Sequence, residues 1–311
     1  MLSVFLEILP VFLLITTGYL LKKWFIQSEN SWKFAEALTY NLLAPLLFAI
    51  IVNGADFSIS GLSVALIATT SATFAIATVL FLTQLVFKVD ARIFASIFQG
   101  GLRANSYIFL ALAGLLYDKT GVAVAGVFVA CTLVLSNIIL FLVMNHYGSK
   151  PQKKIIPIAK AFLQNPLILG TTVGMTFSLL NVHFSDFAAV EQYLHYLGNA
   201  ATPLNLLSVG ASLDPTIQWQ KLKWQKLTAT AYASGLKLVI MPICTFLLLQ
   251  LFSVTGIVAN IAILYSAVPC AGNAYAISRK VGCDSETAIS ITTWTTLISA
   301  ITITLLISRL A

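Results

Sequence analysis

Ala267-Val-Pro-Cys-Ala-Gly-Asn-Ala-Tyr275 lies inside an apolar stretch of membrane-spanning length and cannot be read as an unbroken helix. Pro269 has no amide proton and clashes with the preceding turn. Gly272 weakens the helix again, and Asn273 brings a donor and an acceptor to the freed backbone. A second apolar stretch contains Gln99-Gly-Gly-Leu-Arg-Ala-Asn-Ser-Tyr107. Its weak point is Gly100-Gly101, with Arg103 and Asn105 just beyond. Backbone polar groups cannot stay unpaired in hydrocarbon, so a break is tolerated only where protein or a wet cavity covers it. The two stretches therefore predict half-helices meeting around a shielded site. Half-helix N-termini carry partial positive charge and suit an anion.

Working outward, the chain has 311 residues, 59% hydrophobic and 9% charged. A soluble domain carries about 25% charged residues, so this composition places the chain in a bilayer. Ten apolar stretches read as spans at 2–21, 33–53, 61–87, 92–116, 121–145, 162–181, 189–211, 227–250, 254–277 and 286–308. The first has no basic leader and no small-residue cleavage site, which favours a true helix over a signal peptide. Asn105-x-Tyr107 recurs as Asn273-x-Tyr275, and Asn41-Leu-Leu-Ala-Pro45 resembles Asn199-Ala-Ala-Thr-Pro203. The expectation is an all-α membrane protein of ten transmembrane helices. They would form two inverted five-helix repeats, 1–145 and 162–311, joined by a cytoplasmic loop at 146–161, with helices 4 and 9 as broken crossovers.

Basic residues cluster in alternate connections: Lys22, Lys23 and Lys33; Lys88 and Arg92; Lys150, Lys153, Lys154 and Lys160; Lys221, Lys223 and Lys226; Arg279 and Lys280. The intervening connections and the C-terminus hold only Lys119 and Arg309. By the positive-inside rule the basic side is cytoplasmic, which puts both termini outside. The net charge of +7 is then a topology signal matched to anionic lipid, and it requires no nucleic acid.

Arg103 is the foremost candidate side chain. A charge that deep faces a cavity or a partner, and no acid on its own stretch pairs with it. A substrate carboxylate would be a natural bidentate partner; bonding to carbonyls freed by the Gly-Gly break is the structural alternative. Asn105 and Asn273 would orient the substrate, with Tyr107, Tyr275 and Asn41 beside them. Gly100, Gly101, Pro269, Gly272, Pro45 and Pro203 mark hinges. Lys237 is a second buried-looking base. Cys131, Cys244, Cys270 and Cys283, and the three histidines, lack metal-ligand spacing, and no catalytic motif is present. The reading is no enzyme, no metal and no cofactor. No carboxylate lies clearly at mid-membrane, so a driving ion, proton or sodium, stays open.

Gly18-Tyr19, Leu42-Leu-Ala-Pro-Leu46, Arg103-Ala-Asn105 and Pro269-Cys-Ala-Gly-Asn273 follow one another in an order and spacing that resembles the auxin efflux carrier family. That family is related in fold to the bile acid:sodium symporters. The resemblance covers essentially the whole chain. It implies a scaffold of spans 1, 2, 6 and 7, and a transport domain of spans 3–5 and 8–10. It also implies broken helices crossing beside the substrate, and homodimers through the scaffold. The short central loop resembles the compact bacterial form, and bacterial relatives are often labelled organic-acid transporters. Plant members have a proline at both crossings, whereas Gly100-Gly101 stands in the first one here. The resulting expectation is a secondary carrier of a small mono- or dicarboxylate in a bacterial cytoplasmic membrane, working by an elevator-like alternating-access mechanism. A non-transporting sensor that kept the fold is the alternative.

Overall fold

The computed structural model describes residues 1–148, 164–213 and 224–310. From position 149 onward, the expected cytoplasmic loop lies outside the described residues, as do Asp214, Lys221 and Lys223. The described chain is built of helices. They are α1 (Leu2–Trp24), α2 (Glu29–Leu38), α3 (Ala44–Asn53), α4 (Leu62–Phe87), α5 (Ala91–Leu102), α6 (Ser106–Tyr147) and α7 (Pro166–Leu179). After these come α8 (Ala188–Ser212), α9 (Trp224–Gly235), α10 (Met241–Leu251), α11 (Gly256–Ala267), α12 (Ala274–Val281) and α13 (Ser285–Leu310).

The ten-span scheme of two inverted five-helix repeats with broken crossover helices is corrected here. Among the described residues, six helical runs are long and apolar enough to cross a membrane: Leu2–Trp24, Glu29–Asn53, Leu62–Phe87, Ala91–Thr132, Trp224–Leu251 and Ser285–Arg309. Pro166–Leu179 and Gly256–Ala267 are apolar but shorter, below the roughly 20 residues that a bilayer core requires. Each departure has a local cause. The expected ninth span is divided between α11, of 12 residues, and α12, of 8. The expected fourth span is itself divided between α5 and the first part of α6, and it meets the fifth without a loop: α6 is two helices that abut at a break where Tyr117 (φ −138°, ψ 16°) and Asp118 (φ 54°, ψ −150°) leave the helical path. The expected seventh, α8, carries Glu191, His195, Asn199 and Asn205 along its length.

Two spans contain a widened π turn just ahead of a proline. Thr39–Leu43 links α2 to α3 before Pro45, and Leu236–Ile240 links α9 to α10 before Pro242. A proline removes one rung of the helix ladder. A π turn absorbs the mismatch without ending the helix, and such turns gather at functional sites.

Close backbone approach holds one group of helices together. A Cβ on Gly18 of α1 would land on the Leu207 carbonyl of α8, and one on Gly210 of α8 would land on the Ile15 carbonyl of α1. On α7, Gly170 and Gly174 lie against the Pro45 and Ala49 backbone of α3. Small residues four apart let membrane helices pack by van der Waals contact, where no hydrophobic force between helices is available. A second group forms around α5, α9, α12 and α13. Phe94 and Phe98 of α5 pack with Phe81 of α4, and Phe94 also packs edge-on against Tyr147 at 4.8 Å.

Polar ties close one end of this second group. Asp90 caps α5 by accepting from the Arg92 and Ile93 amides. Lys226 pairs with Asp284 at 2.9 Å and also with Glu286. Asp284 further accepts from the Thr287 amide, and its own amide donates to the Arg92 carbonyl. Burial pushes the Asp284 carboxyl up, but the Thr287 and Lys226 donors outweigh it and hold the group below the usual carboxylate value.

Candidate functional site

The chain leaves the helical path in both singled-out stretches. Between α5 and α6 run Arg103, Ala104 and Asn105, with Arg103 extended at φ −72°, ψ 123°. Between α11 and α12 run residues 268–273. The two links touch: the Asn105 amide donates to the Pro269 carbonyl at 2.9 Å. A backbone donor and acceptor freed by the breaks thus satisfy each other, as a water-poor interior demands.

Asn105 does a second task. Its Oδ1 accepts from the Tyr107 and Ile108 amides, both at 3.2 Å, and caps α6. This fixes the amide so that Nδ2 faces away from the helix end. Asn105 is only 2% exposed, and its Nδ2 has no partner. Asn273 precedes the first residue of α12 without capping it through its side chain, and its Oδ1 is likewise buried and unpartnered. Leaving such groups unpaired costs about 1–3 kcal/mol each, so they mark a place shaped for something else.

That place is a cavity of about 440 Å³. Arg103, Asn105, Tyr107, Gly272 and Asn273 line it from the two links and the start of α6. Tyr40 of the first π turn and Asn205 and Ser208 of α8 close the facing wall, and Lys33 and Glu36 of α2 also line it. The Asn205 and Ser208 side-chain oxygens are buried and unpartnered. Among the described residues no carboxylate forms an ion pair with Arg103; Tyr40, Tyr107 and Cys270 are its electrostatic neighbours. The cavity therefore offers a guanidinium that no described carboxylate pairs with, one oriented amide donor and two helix starts. That combination suits a small anion.

The remaining singled-out residues lie elsewhere. Asn41 is exposed, and its amide donates back to the Ala37 carbonyl at 2.8 Å. Tyr275 is outside the cavity lining, with the Arg279 guanidinium over its ring at 5.7 Å from the centroid. Pro45 meets Gly170 through its backbone, and Pro203 sits inside α8. Gly100 lies against Ile291 of α13. Gly101 is buried in the last turn of α5, and Pro269 in the second link. Lys237 does not line the cavity. It is 0% exposed, and its Nζ donates to the Ser266 carbonyl at 3.1 Å, in the last turn of α11. A cation there complements the negative end of that half-helix.

Tyr40, Ser208 and Lys33 are lining residues that the sequence did not single out. A signal exists in hindsight: Lys33, Glu36 and Tyr40 share one helical face at spacings of three and four. No cluster of three metal-ligating side chains occurs among the described residues.

Against known proteins, a family model described as membrane transport protein matches residues 3–307. A protein of Rhizobium meliloti (strain 1021) named "Putative malonate transporter" is 29% identical over 161 residues. The aligned part is 50% of this chain and 48% of that relative, so the match spans about half of each.

Proposed function

The chain belongs to the membrane transport protein family, and from that premise we propose that it is a secondary transporter of a small organic anion, a mono- or dicarboxylate. The protein is an integral membrane protein, and its family is the one to which the resemblance with the auxin efflux carriers pointed. The observation that carries the proposal is Arg103, without an ion-pair partner among the described residues, in a cavity shared by two helix breaks. Its guanidinium fork would take a substrate carboxylate in bidentate fashion. Asn105 Nδ2 would donate to the same anion. Asn273, Asn205 and Ser208 would meet hydroxyl or protonated groups on the remainder. The name of the Rhizobium relative supports a dicarboxylate such as malonate as the first compound to try.

Alternating access would follow from the two helix groups. Packing of α1 on α8, and of α3 on α7 and α8, supports a scaffold; α4–α6 with α9–α13 would be the moving part. The cavity lies where the links meet α2 and α8, so sliding one group past the other would expose Arg103 to alternate sides. Charge in the connections supports cytoplasmic placement of the Lys33 end, with both termini outside. A bacterial cytoplasmic membrane and a homodimer through the scaffold belong to the same reading.

The test is counterflow. Proteoliposomes preloaded with malonate should take up labelled malonate in a saturable way, and related mono- and dicarboxylates should compete. Binding without exchange would instead favour a sensor that kept the fold. Neither binding nor exchange across a carboxylate panel would remove the organic-anion reading.

A further inference from the structure

The anion cavity contains a carboxylate. Glu36 of α2 lines the same space as Arg103, Asn105 and Asn273, and it is half-buried. An ionised acid in the wall opposes the anion that the rest of the wall attracts. Its charge is not cancelled by a salt bridge among the described residues. The Lys33 ammonium, one turn earlier, pairs with Glu29 at 3.4 Å and leaves Glu36 with only longer-range attraction.

The other groups around it do not supply a counter-ion either. Tyr40, one turn further along, brings a phenol. From the links and α6 come Arg103 and Tyr107, and from α11 comes Tyr265. Arg103 is the group that the substrate would occupy. Helix α8 packs against α2 and has no titratable side chain between Gly198 and Ser212. On α12 the titratable pair Tyr275 and Arg279 engage each other, outside the cavity lining.

We propose that Glu36 is a proton site coupled to the anion site, so that the protein takes up one proton on Glu36 as it takes up one anion at Arg103. Protonation turns the carboxylate into a neutral acid that can donate a hydrogen bond into the cavity. The loaded cavity then carries one fewer negative charge. Coupling is reciprocal: a bound anion favours the proton as much as the proton favours the anion. Two like charges sharing one cavity at an intermediate effective dielectric weaken binding by roughly tenfold. This inference rests on the organic-anion reading and adds the co-bound ion to it.

The experiment compares wild type, E36Q and E36D for binding of two probes from about pH 8 down to about pH 5.5, as apparent affinity in a thermal-shift titration. One probe is malonate. The other is methanedisulfonate, whose charge does not change in this range. For wild type, affinity for both should rise on acidification by roughly tenfold in total. E36Q should bind tightly at all these pH values with the slope lost for the disulfonate. E36D should restore the slope. In proteoliposomes, wild type should draw protons inward with malonate, and E36Q should not. An E36Q slope equal to that of wild type overturns the proton coupling while leaving anion transport in place. A wild type that binds neither probe and no other carboxylate overturns the transport reading, and the coupling with it.

Discussion

At the scale of single residues, Asn105 joins structure to chemistry. One end of its amide caps α6 and the other lies unpartnered in the cavity. Asn105→Ala should therefore cost about 1 kcal/mol of stability from the lost cap, together with a clear loss of anion affinity. Asn105→Asp should keep the cap and still lose affinity, because it replaces a donor with a negative charge. Melting and binding curves on both variants separate the two roles. Lys237 makes the opposite kind of prediction. Its ammonium is fully buried with only a carbonyl and a thioether as partners, and burying a charge that way is costly. Lys237→Met, of similar shape and without the charge, should melt no lower than wild type. A fall of several degrees would show that the bond to Ser266 outweighs desolvation.

At the scale of elements, the glycine seams and the polar tie carry separate loads. Gly174→Leu would drive a side chain into the Ala49 backbone of α3. Overpacking of this kind costs about 1–3 kcal/mol or more, so this variant should melt lower, while Gly235→Ala, with nothing nearby to meet, should not. The Asp284 tie is pH-dependent in a defined direction. Its carboxyl is held below its unfolded value, near about 3.9. Its stabilising contribution is thus complete above that value and is lost as pH falls through the lower folded value. Melting temperature should fall on acidification below about pH 4, and less so in Asp284→Asn.

These elements also show what the sequence could and could not convey. That Arg103, Asn105 and Asn273 share one cavity was legible because an apolar stretch leaves few other reasons for such groups. The neighbouring choice between Tyr40 and Asn41 was not. Both lie in a π turn, which takes up one extra residue and shifts the facing of the side chains; no hydrophobic period records that. Glu36 is not legible as a cavity residue, because its distance from the cavity depends on how α2 packs on α8. The count of spans failed for a related reason. Hydropathy sees apolar length, whereas α11 and α12 are set by where the ladder stops, and the expected fourth span is cut after α5 by the link through Arg103, Ala104 and Asn105.

At the scale of the whole molecule, the two helix groups meet along a cavity to which each contributes. A ligand bound there should stabilise the native protein by mass action, by about 2.7 kcal/mol at a hundredfold excess over its Kd. Malonate and related carboxylates should raise the melting temperature in a saturable way, and neutral analogues of equal size should not. If both groups contribute as the lining implies, Asn205→Ala on α8 should weaken the same ligand as Arg103→Ala, and by a smaller factor.

The most direct measurement is the affinity of one small carboxylate, malonate first, for wild type, Arg103→Lys and Arg103→Ala at neutral pH. A charge-assisted pair of this kind contributes about 1.5–3 kcal/mol, or about ten- to a hundredfold in Kd. The account predicts that loss in Arg103→Ala and a smaller one in Arg103→Lys, which keeps the charge without the fork. Equal affinity in all three proteins would contradict it.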